Sequence, residues 1–110
     1  MSAPALPGIL ADIERVAGRD AALRLARSAG GSRINVPAPA RLRPEHPLAR
    51  ALSPAAAAEI SRLWAGERVD VPHARGAVCA WLLSQGRTVA QVAAELKMAR
   101  RSVRRHRPRR

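Results

Sequence analysis

Apolar residues recur at helical spacing through the first 30 residues of the chain. Leu6-Pro7-Gly8 opens a predicted helix, with proline near its first position, and Gly18 ends it. The apolar face of this helix consists of Ile9, Leu10, Ile13, Val16 and Ala17. Asp20 is the predicted N-cap of a second helix, which runs to the glycine pair Gly30-Gly31. The chain is therefore predicted to begin with two short amphipathic helices.

Two short stretches alternate between apolar and polar residues instead, which is the spacing of a half-buried β-strand. They are residues 33–36 and 68–71, and a proline follows and ends each of them. Between them, Ser53-Pro54 opens a third predicted helix, which Gly66 ends. The residues predicted to face inward on this helix are Ala57, Ile60, Leu63 and Trp64. Residues 37–47 contain four prolines and are predicted to be a linker.

The two blocks of helix and strand are copies of one another at an offset of 35 residues. Residues 21–37, AALRLARSAGGSRINVP, align with residues 56–72, AAAEISRLWAGERVDVP. Matched alanines are common in this composition, but the shared string G-x-R-[IV]-[ND]-V-P is specific. The chain thus repeats a unit of helix, glycine stop and short strand.

Each short strand needs a partner, because a two-stranded ribbon alone is only marginally stable in water. One alternative is that the two strands pair within the chain and pack on its helices. The other is a homodimer in which the strands and helices of two chains interlock. We favour the homodimer, because 110 residues without Phe or Tyr build only a small core. The residues assigned to the dimer strands are Ile34, Val36, Val69 and Val71.

The composition indicates a helical core. Ala, Leu, Ile and Val supply the apolar content, and Trp64 and Trp81 are the only aromatic residues. Alanine and leucine favour helices, whereas aromatic residues favour strands. We predict a mainly α fold in which N-terminal helices with short β-strands (dimerisation) precede a C-terminal helix-turn-helix. The predicted regions are residues 1–72 for dimerisation and residues 73–110 for DNA binding.

The C-terminal region has the apolar pattern of a helix-turn-helix. After a helix over residues 73–85, Thr88 is the N-cap of the next helix, and Gln91 completes a capping box. Lys97-Met98-Ala99 forms the predicted turn, and a further helix begins at Arg100. A generic helical hairpin would explain the apolar positions but not the arginines that follow them. The helix-turn-helix core is assigned to Val92, Ala93, Leu96, Met98 and Val103.

The net charge of +12 is concentrated in the same region. Residues 87–110 contain nine Lys or Arg residues and one acidic residue, Glu95. This excess indicates a polyanionic partner, here double-stranded DNA, with a solvated basic tail as the simpler alternative. The predicted base contacts are Arg100, Arg101, Arg104 and Arg105. The predicted phosphate contacts are Arg87, Thr88, Arg107, Arg109 and Arg110.

Two positions depart from the usual helix-turn-helix pattern. Lys97 stands where glycine is common, and a positive φ there would cost on the order of 1 kcal/mol. Ala99 stands where a capping Ser or Thr is common, so the last helix is predicted to begin without a side-chain cap.

Four motifs occur in a specific order. They are LPGILADIERVAG, a strand of the form G-[GS]-x-R-[IV]-x-V-P, the segment E-H-P-L at Glu45 to Leu48, and the closing helix-turn-helix. In this order the chain resembles the Mor (middle operon regulator) transcription activator family of transposable phages. The resemblance implies a DNA-binding homodimer that activates phage or prophage promoters, with RNA polymerase as a further partner.

The sequence contains no pattern that indicates an enzyme. His46, His73 and His106 have no neighbours at metal-ligand spacing. Cys79 lies in the apolar run AVCAW and is predicted to be a packed core thiol. We therefore predict no catalytic activity, no cofactor and no metal.

Two further classes of function compete with a sequence-specific DNA-binding regulator. One is a basic protein that binds nucleic acids without regard to sequence, and the other is an adaptor to an acidic protein. The C-terminal tail has no aromatic residues, which counts against RNA, and an adaptor would not need the apolar core pattern. The chain also has no apolar run long enough for a membrane span and no basic N-terminal leader, so we expect a cytoplasmic protein without membrane contact.

Overall fold

The computed structural model describes residues 5–107, which are mainly helical, with seven α-helices and one two-stranded antiparallel sheet. This confirms the predicted mainly α class with short strands. The described residues divide into two compact units, one ending at His73 and the other beginning at Ala74. Within the same residues, no helix combines the length and the apolar character needed to cross a membrane.

The first unit contains helices, a short 3₁₀ turn and the two strands. Their bounds are α1 Ile9–Ala17, α2 Arg19–Ala29, β1 Arg33–Asn35, the 3₁₀ turn Pro39–Arg41, α3 Pro47–Ala51, α4 Pro54–Trp64 and β2 Arg68–Asp70. The second unit is formed by helices alone. Their bounds are α5 Arg75–Ser84, α6 Val89–Leu96 and α7 Arg100–Arg105.

The two strands pair with each other, antiparallel, with Ile34 opposite Val69. Ile34, Val69 and the flanking Val36 and Val71 are buried, and the polar residues that alternate with them are exposed. The structure therefore shows the intrachain alternative and not the favoured pairing between two chains. The alternating pattern indicates that a strand has one buried face, but it does not tell which strand lies beside it.

The core of the first unit is built from the apolar faces of its helices and the buried face of its sheet. The apolar side chains without exposed surface in this unit are Ile9, Leu10, Ile13, Ala22, Leu25, Leu48 and Ile60. Trp64 lies at the edge of the core, where its indole Nε1 donates a hydrogen bond to Asp12 Oδ2 at 2.8 Å. This bond joins α4 to α1, so helices distant in sequence hold the unit together.

The inward face of α4 differs from the prediction at one position. Leu63 is 52% exposed, so its assignment to the core is wrong. Ser61 is buried instead, and its hydroxyl donates a hydrogen bond to the carbonyl of Pro37. Because this bond satisfies the hydroxyl, a serine can occupy a core position that the apolar pattern does not reveal.

Two details of the first helices also differ from the prediction. Val16 is only half-buried and Ala17 is exposed, so the buried face of α1 is narrower than its apolar pattern. Gly18 is the N-cap of α2, and the predicted cap Asp20 lies inside the first helical turn. A carboxylate in that turn is still favourable, because it faces the positive end of the helix dipole.

The predicted linker over residues 37–47 is an ordered part of the first unit. His46 is the N-cap of α3, where its Nδ1 accepts a hydrogen bond from the Leu48 N–H at 3.1 Å. That role leaves the proton on Nε2, which donates to the carbonyl oxygen of Asn35 at 2.8 Å. The E-H-P-L segment thus has a structural function, because it starts a helix, ties it to β1 and buries Leu48.

Candidate nucleic-acid interface

The start of α6 is fixed by the predicted capping box. Thr88 Oγ1 accepts a hydrogen bond from the Gln91 N–H at 3.1 Å. In return, Gln91 Oε1 accepts one from the Thr88 N–H at 2.9 Å. Two backbone donors that would lack partners at the helix start are thereby satisfied.

The end of α6 is a left-handed turn at Lys97, with φ 55° and ψ 48°. The following Met98 N–H donates to the carbonyl of Ala93 at 3.0 Å, the bond that closes a Schellman motif. Lys97 therefore has the left-handed backbone for which glycine is common at this position of the turn. The same motif ends α5, but there Gly86 takes the left-handed position, with φ 91°.

Helix α7 is anchored on its neighbours by Val103, which has no exposed surface. The Val103 carbonyl lies 3.7 Å from the buried Cys79 Sγ of α5, which donates to it. Just beyond α7, the His106 ring packs over Gly76 of α5, and a Cβ at that glycine would lie 2.8 Å from His106 Cε1. Helix α7 and the residue that follows it therefore contact α5 at two points, and at Gly76 a larger side chain would displace the His106 ring.

The structure brings the predicted helix-turn-helix core residues together where α6 and α7 pack on each other. Val92, Ala93 and Val103 are buried, while Leu96 and Met98 are half-buried on either side of Lys97. Ala99 precedes α7 without a side-chain cap, as predicted. The turn between the two helices thus has an apolar interior and a defined backbone geometry.

All four arginines predicted to contact bases lie on the exposed side of α7. Since successive residues of an α-helix are separated by about 100°, the four occupy one arc of roughly 140°, opposite the buried Val103. Within residues 5–107, none of their guanidinium groups forms an ion pair. These residues are Arg100, Arg101, Arg104 and Arg105.

The residues predicted to contact phosphate do not form one group. Arg87 is half-buried, and its Nη2 lies 2.9 Å from Glu95 Oε1 in an ion pair along α6. Thr88 and Arg107 are exposed, at the start of α6 and just after α7. Arg109 and Arg110 lie outside the described residues.

The second unit has a strongly positive surface. Residues 74–107 contain eight Lys or Arg side chains and one carboxylate, which Arg87 already pairs. Arg75, the first residue of α5, and Lys97 are not among the predicted contacts, yet both are exposed and add to this charge. Their positions on a helix end and a turn give no motif by which they could have been found.

Three further features bear on reactivity, namely the Cys79 thiol, the possible metal ligands and the Arg33–Asp70 pair. Burial raises the pKa of the Cys79 thiol, so the thiol stays protonated and weakly nucleophilic. Among residues 5–107, no cluster of three or more His, Cys, Asp or Glu side chains is placed to hold a metal ion. In the first unit, the cross-strand hydrogen bond with Arg33 lowers the pKa of Asp70, and the same bond raises the pKa of Arg33. That pair is a surface contact of the sheet.

Comparison with known proteins gives no relative for the chain: no family model, no curated protein and no solved structure matches it. The properties that bear on its function are therefore the geometry and the charge described above.

Proposed function

We propose that the chain is a sequence-specific DNA-binding transcription regulator, in which α6 and α7 form a helix-turn-helix and α7 enters the major groove. The observation that supports this most directly is the arc of four arginines on α7. A helix that only needed to be soluble would carry charges of both signs on its exposed side. Here that side is wholly cationic, and the buried Val103 fixes the direction in which it faces.

The dimensions and chemistry of α7 suit this role. An α-helix with its side chains is about 10–12 Å across, which fits within a major groove roughly 12 Å wide. Arginine is the side chain that most often reads guanine, through paired hydrogen bonds to O6 and N7. We assign base contacts to Arg101, Arg104 and Arg105, with Arg100 able to reach a base or a phosphate.

Phosphate contacts would come from the ends of the helices. Arg107 follows α7, and the hydroxyl of Thr88 and the free N–H groups of the first turn of α6 can donate to a phosphate oxygen. Arg87 is already paired with Glu95, so we expect a smaller contribution from it than the sequence alone indicated. Arg109 and Arg110 keep the role predicted from the sequence.

The biological role rests on the resemblance to the Mor family. On that ground we propose a phage or prophage activator that binds promoter DNA and contacts RNA polymerase. The resemblance also implies a homodimer. The paired strands remove one reason for expecting it, because β1 and β2 satisfy each other within one chain.

The test asks which arginines determine the preference for the operator and which only raise the affinity for any DNA. An operator would first be selected from a pool of random duplexes, and each variant would then be titrated on operator and on scrambled DNA over a salt series. Arg101→Ala or Arg104→Ala should reduce the preference for the operator, by about 1–3 kcal/mol for each arginine–guanine pair removed. Arg107→Ala should weaken binding to both DNAs alike and reduce the salt slope by about one.

Arg62→Ala is the matched control, because Arg62 is an exposed arginine on α4 of the first unit. It should leave the affinity for both DNAs unchanged. If the α7 variants and Arg107→Ala lose affinity equally on both DNAs, the chain is a sequence-blind binder. If the unaltered chain binds neither DNA, the proposal fails and an acidic protein becomes the candidate partner.

A further inference from the structure

The sequence repeat continues into the three-dimensional structure of the first unit. Helix α2 and helix α4 each have eleven residues, and their bounds differ by the repeat offset of 35 at both ends. The strands that follow them, β1 and β2, obey the same offset. The backbone between helix and strand repeats as well, because Gly31 and Gly66 both have φ 84°.

The hydrogen bonds that join the repeats come in exchanged pairs. The Gly31 N–H donates to the Val71 carbonyl at 2.7 Å, and the Gly66 N–H donates to the Val36 carbonyl at 2.8 Å. Adding 35 to the first-repeat residue and subtracting 35 from the second-repeat residue converts one bond into the other.

A second pair of bonds follows the same rule. The Val36 N–H donates to the Glu67 carbonyl at 2.9 Å, and the Val71 N–H donates to the Ser32 carbonyl at 2.8 Å. Exchange of this kind is what a two-fold axis between two identical chains produces in an isologous interface.

The helices interlock in the same exchanged way. Helix α1 packs on α2 of its own repeat and on α4 of the other, while α3 packs on α4 and on α2. Ile13 of α1 and Leu48 of α3 are 35 residues apart, and neither has exposed surface. Each repeat is therefore a helix–helix–strand unit whose helices pack on the other repeat.

We infer that the two repeats of the first unit form a pseudo-two-fold core that corresponds to a dimer folded from one chain. The protein then binds DNA as a monomer, with α7 as its single recognition helix. The inference rests on the proposed function for the role of α7. After the second repeat, Pro72 leads to α5, α6 and α7. At the equivalent point of the first repeat, Pro37 leads to the 3₁₀ turn and α3. Residues 5–107 thus supply both halves of the two-fold core but one candidate DNA-binding unit.

The surface of the first unit supports the same conclusion. A stable homodimer interface buries about 800 Å² on each partner and has an apolar centre. Leu63 is the only large apolar side chain that is exposed among residues 5–107. The strands and the core already have their partners, so nothing in the described part of the chain calls for a second copy.

The oligomeric state and the strand pairing can be tested together on the full chain. Sedimentation equilibrium at tens of micromolar without DNA should give the 11.8 kDa mass of one chain. The double variant Arg33→Cys with Asp70→Cys places two thiols at directly opposed strand positions. After oxidation it should keep the mass of one chain on a non-reducing gel, because the bridge forms within the chain. The native thiol of Cys79 is buried in the other unit and does not compete.

The DNA arm uses the operator selected above. The complex should contain one chain per duplex, and deletion of sequence on one side of the contacted segment should not lower the affinity. Leu63→Glu is the control at the one exposed large apolar side chain of residues 5–107, and it should change neither the mass nor the affinity.

A mass of two chains without DNA, or a covalent dimer from the double-cysteine variant, would overturn the inference even if DNA binding is specific. Conversely, a monomer that binds no DNA would leave the internal dimer standing and would refute the proposed function. The two failures are therefore distinguishable.

Discussion

Ile34 lies directly opposite Val69 in the sheet, and the two residues also occupy the same position in the two repeats. Both are 8% exposed, so the centre of the sheet is an apolar pair formed by equivalent residues. A three-residue strand cannot satisfy its own backbone N–H and C=O groups. When it pairs with its copy in the other repeat, each strand provides the hydrogen-bond partners of the other. The duplication therefore explains how so short a sheet persists within a chain of this size.

The equivalent glycines Gly31 and Gly66 provide a matched test of this symmetry. Both have φ 84°, so alanine at either position should cost about 1–2 kcal/mol of folding free energy. The cost should be larger at Gly31, because an added Cβ would overlap the His73 ring, whereas Gly66 has nothing within 4 Å. Thermal or urea unfolding of Gly31→Ala and Gly66→Ala measures the difference.

The excess cost at Gly31 should be removed by a second change. In a His73→Ala background, Gly31→Ala and Gly66→Ala should destabilise the chain by similar amounts. If the two single variants are already equal, the contact between Gly31 and His73 contributes nothing.

His46 connects the segment between the repeats to the sheet, and its substitution should show it. His46→Ala removes the N-cap of α3 and the hydrogen bond to the Asn35 carbonyl, each of which contributes about 1 kcal/mol. His46→Asn should restore the cap without reaching Asn35, so it should recover about half of the loss. Unfolding free energies from urea titration would show the series, and equal stability of all three proteins would contradict both roles.

The sequence predicts several features that depend on a few neighbouring residues, although it places the N-cap of α2 two residues too late. The glycine that ends α1, the capping box of Thr88 and Gln91, and the left-handed turn at Lys97 each depend on a few neighbouring residues, and the structure has all of them. The buried residues of α7 and the turn were found in the same way, because helical spacing decides which side chains share a face.

Three other differences from the prediction arise where distant parts of the chain decide the outcome. Ser61 could replace Leu63 in the core only because the Pro37 carbonyl reaches its hydroxyl. The proline-rich segment is held on the first unit because His46 donates a hydrogen bond to the Asn35 carbonyl of β1. The pairing partner of each strand is set by how the two repeats fold onto each other. No local pattern contains these contacts.

Lys97 should be a site where stability can be gained. Its left-handed backbone is costly for any residue with a Cβ, so Lys97→Gly should stabilise the second unit by about 1 kcal/mol. Lys97→Gln is the matched control, because it removes the charge but keeps the strain, and it should bring no gain. Thermal unfolding followed by circular dichroism is the measurement. A gain from glutamine as large as that from glycine would show that charge repulsion, and not backbone strain, is what Lys97 costs.

Gly86 is the counterpart at the end of α5. Gly86→Ala should destabilise the same unit by about 1–2 kcal/mol, because glycine adopts this left-handed backbone without strain and alanine does not. No atom lies within 4 Å of the added Cβ, so backbone strain alone would account for the loss. The same thermal unfolding experiment measures it, and an unchanged midpoint would contradict the left-handed geometry at this glycine.

The last prediction separates the two units by their tryptophans. Trp64 lies in the first unit and Trp81 in the second, so Trp81→Phe and Trp64→Phe leave one reporter in each. Val103→Asp places a carboxylate where no surface is exposed, at a cost of several kcal/mol, and should unfold the second unit. Trp81 fluorescence should then report unfolding under native conditions, while Trp64 reports a cooperative transition unchanged from the parent.

Ala93→Glu should act in the same way from the α6 side. Arg104→Asp, on the exposed side of the same helix, should leave both reporters folded and abolish DNA binding. If Val103→Asp leaves Trp81 folded, α7 is not packed as described, and the arginine arc has no fixed direction from which to read DNA.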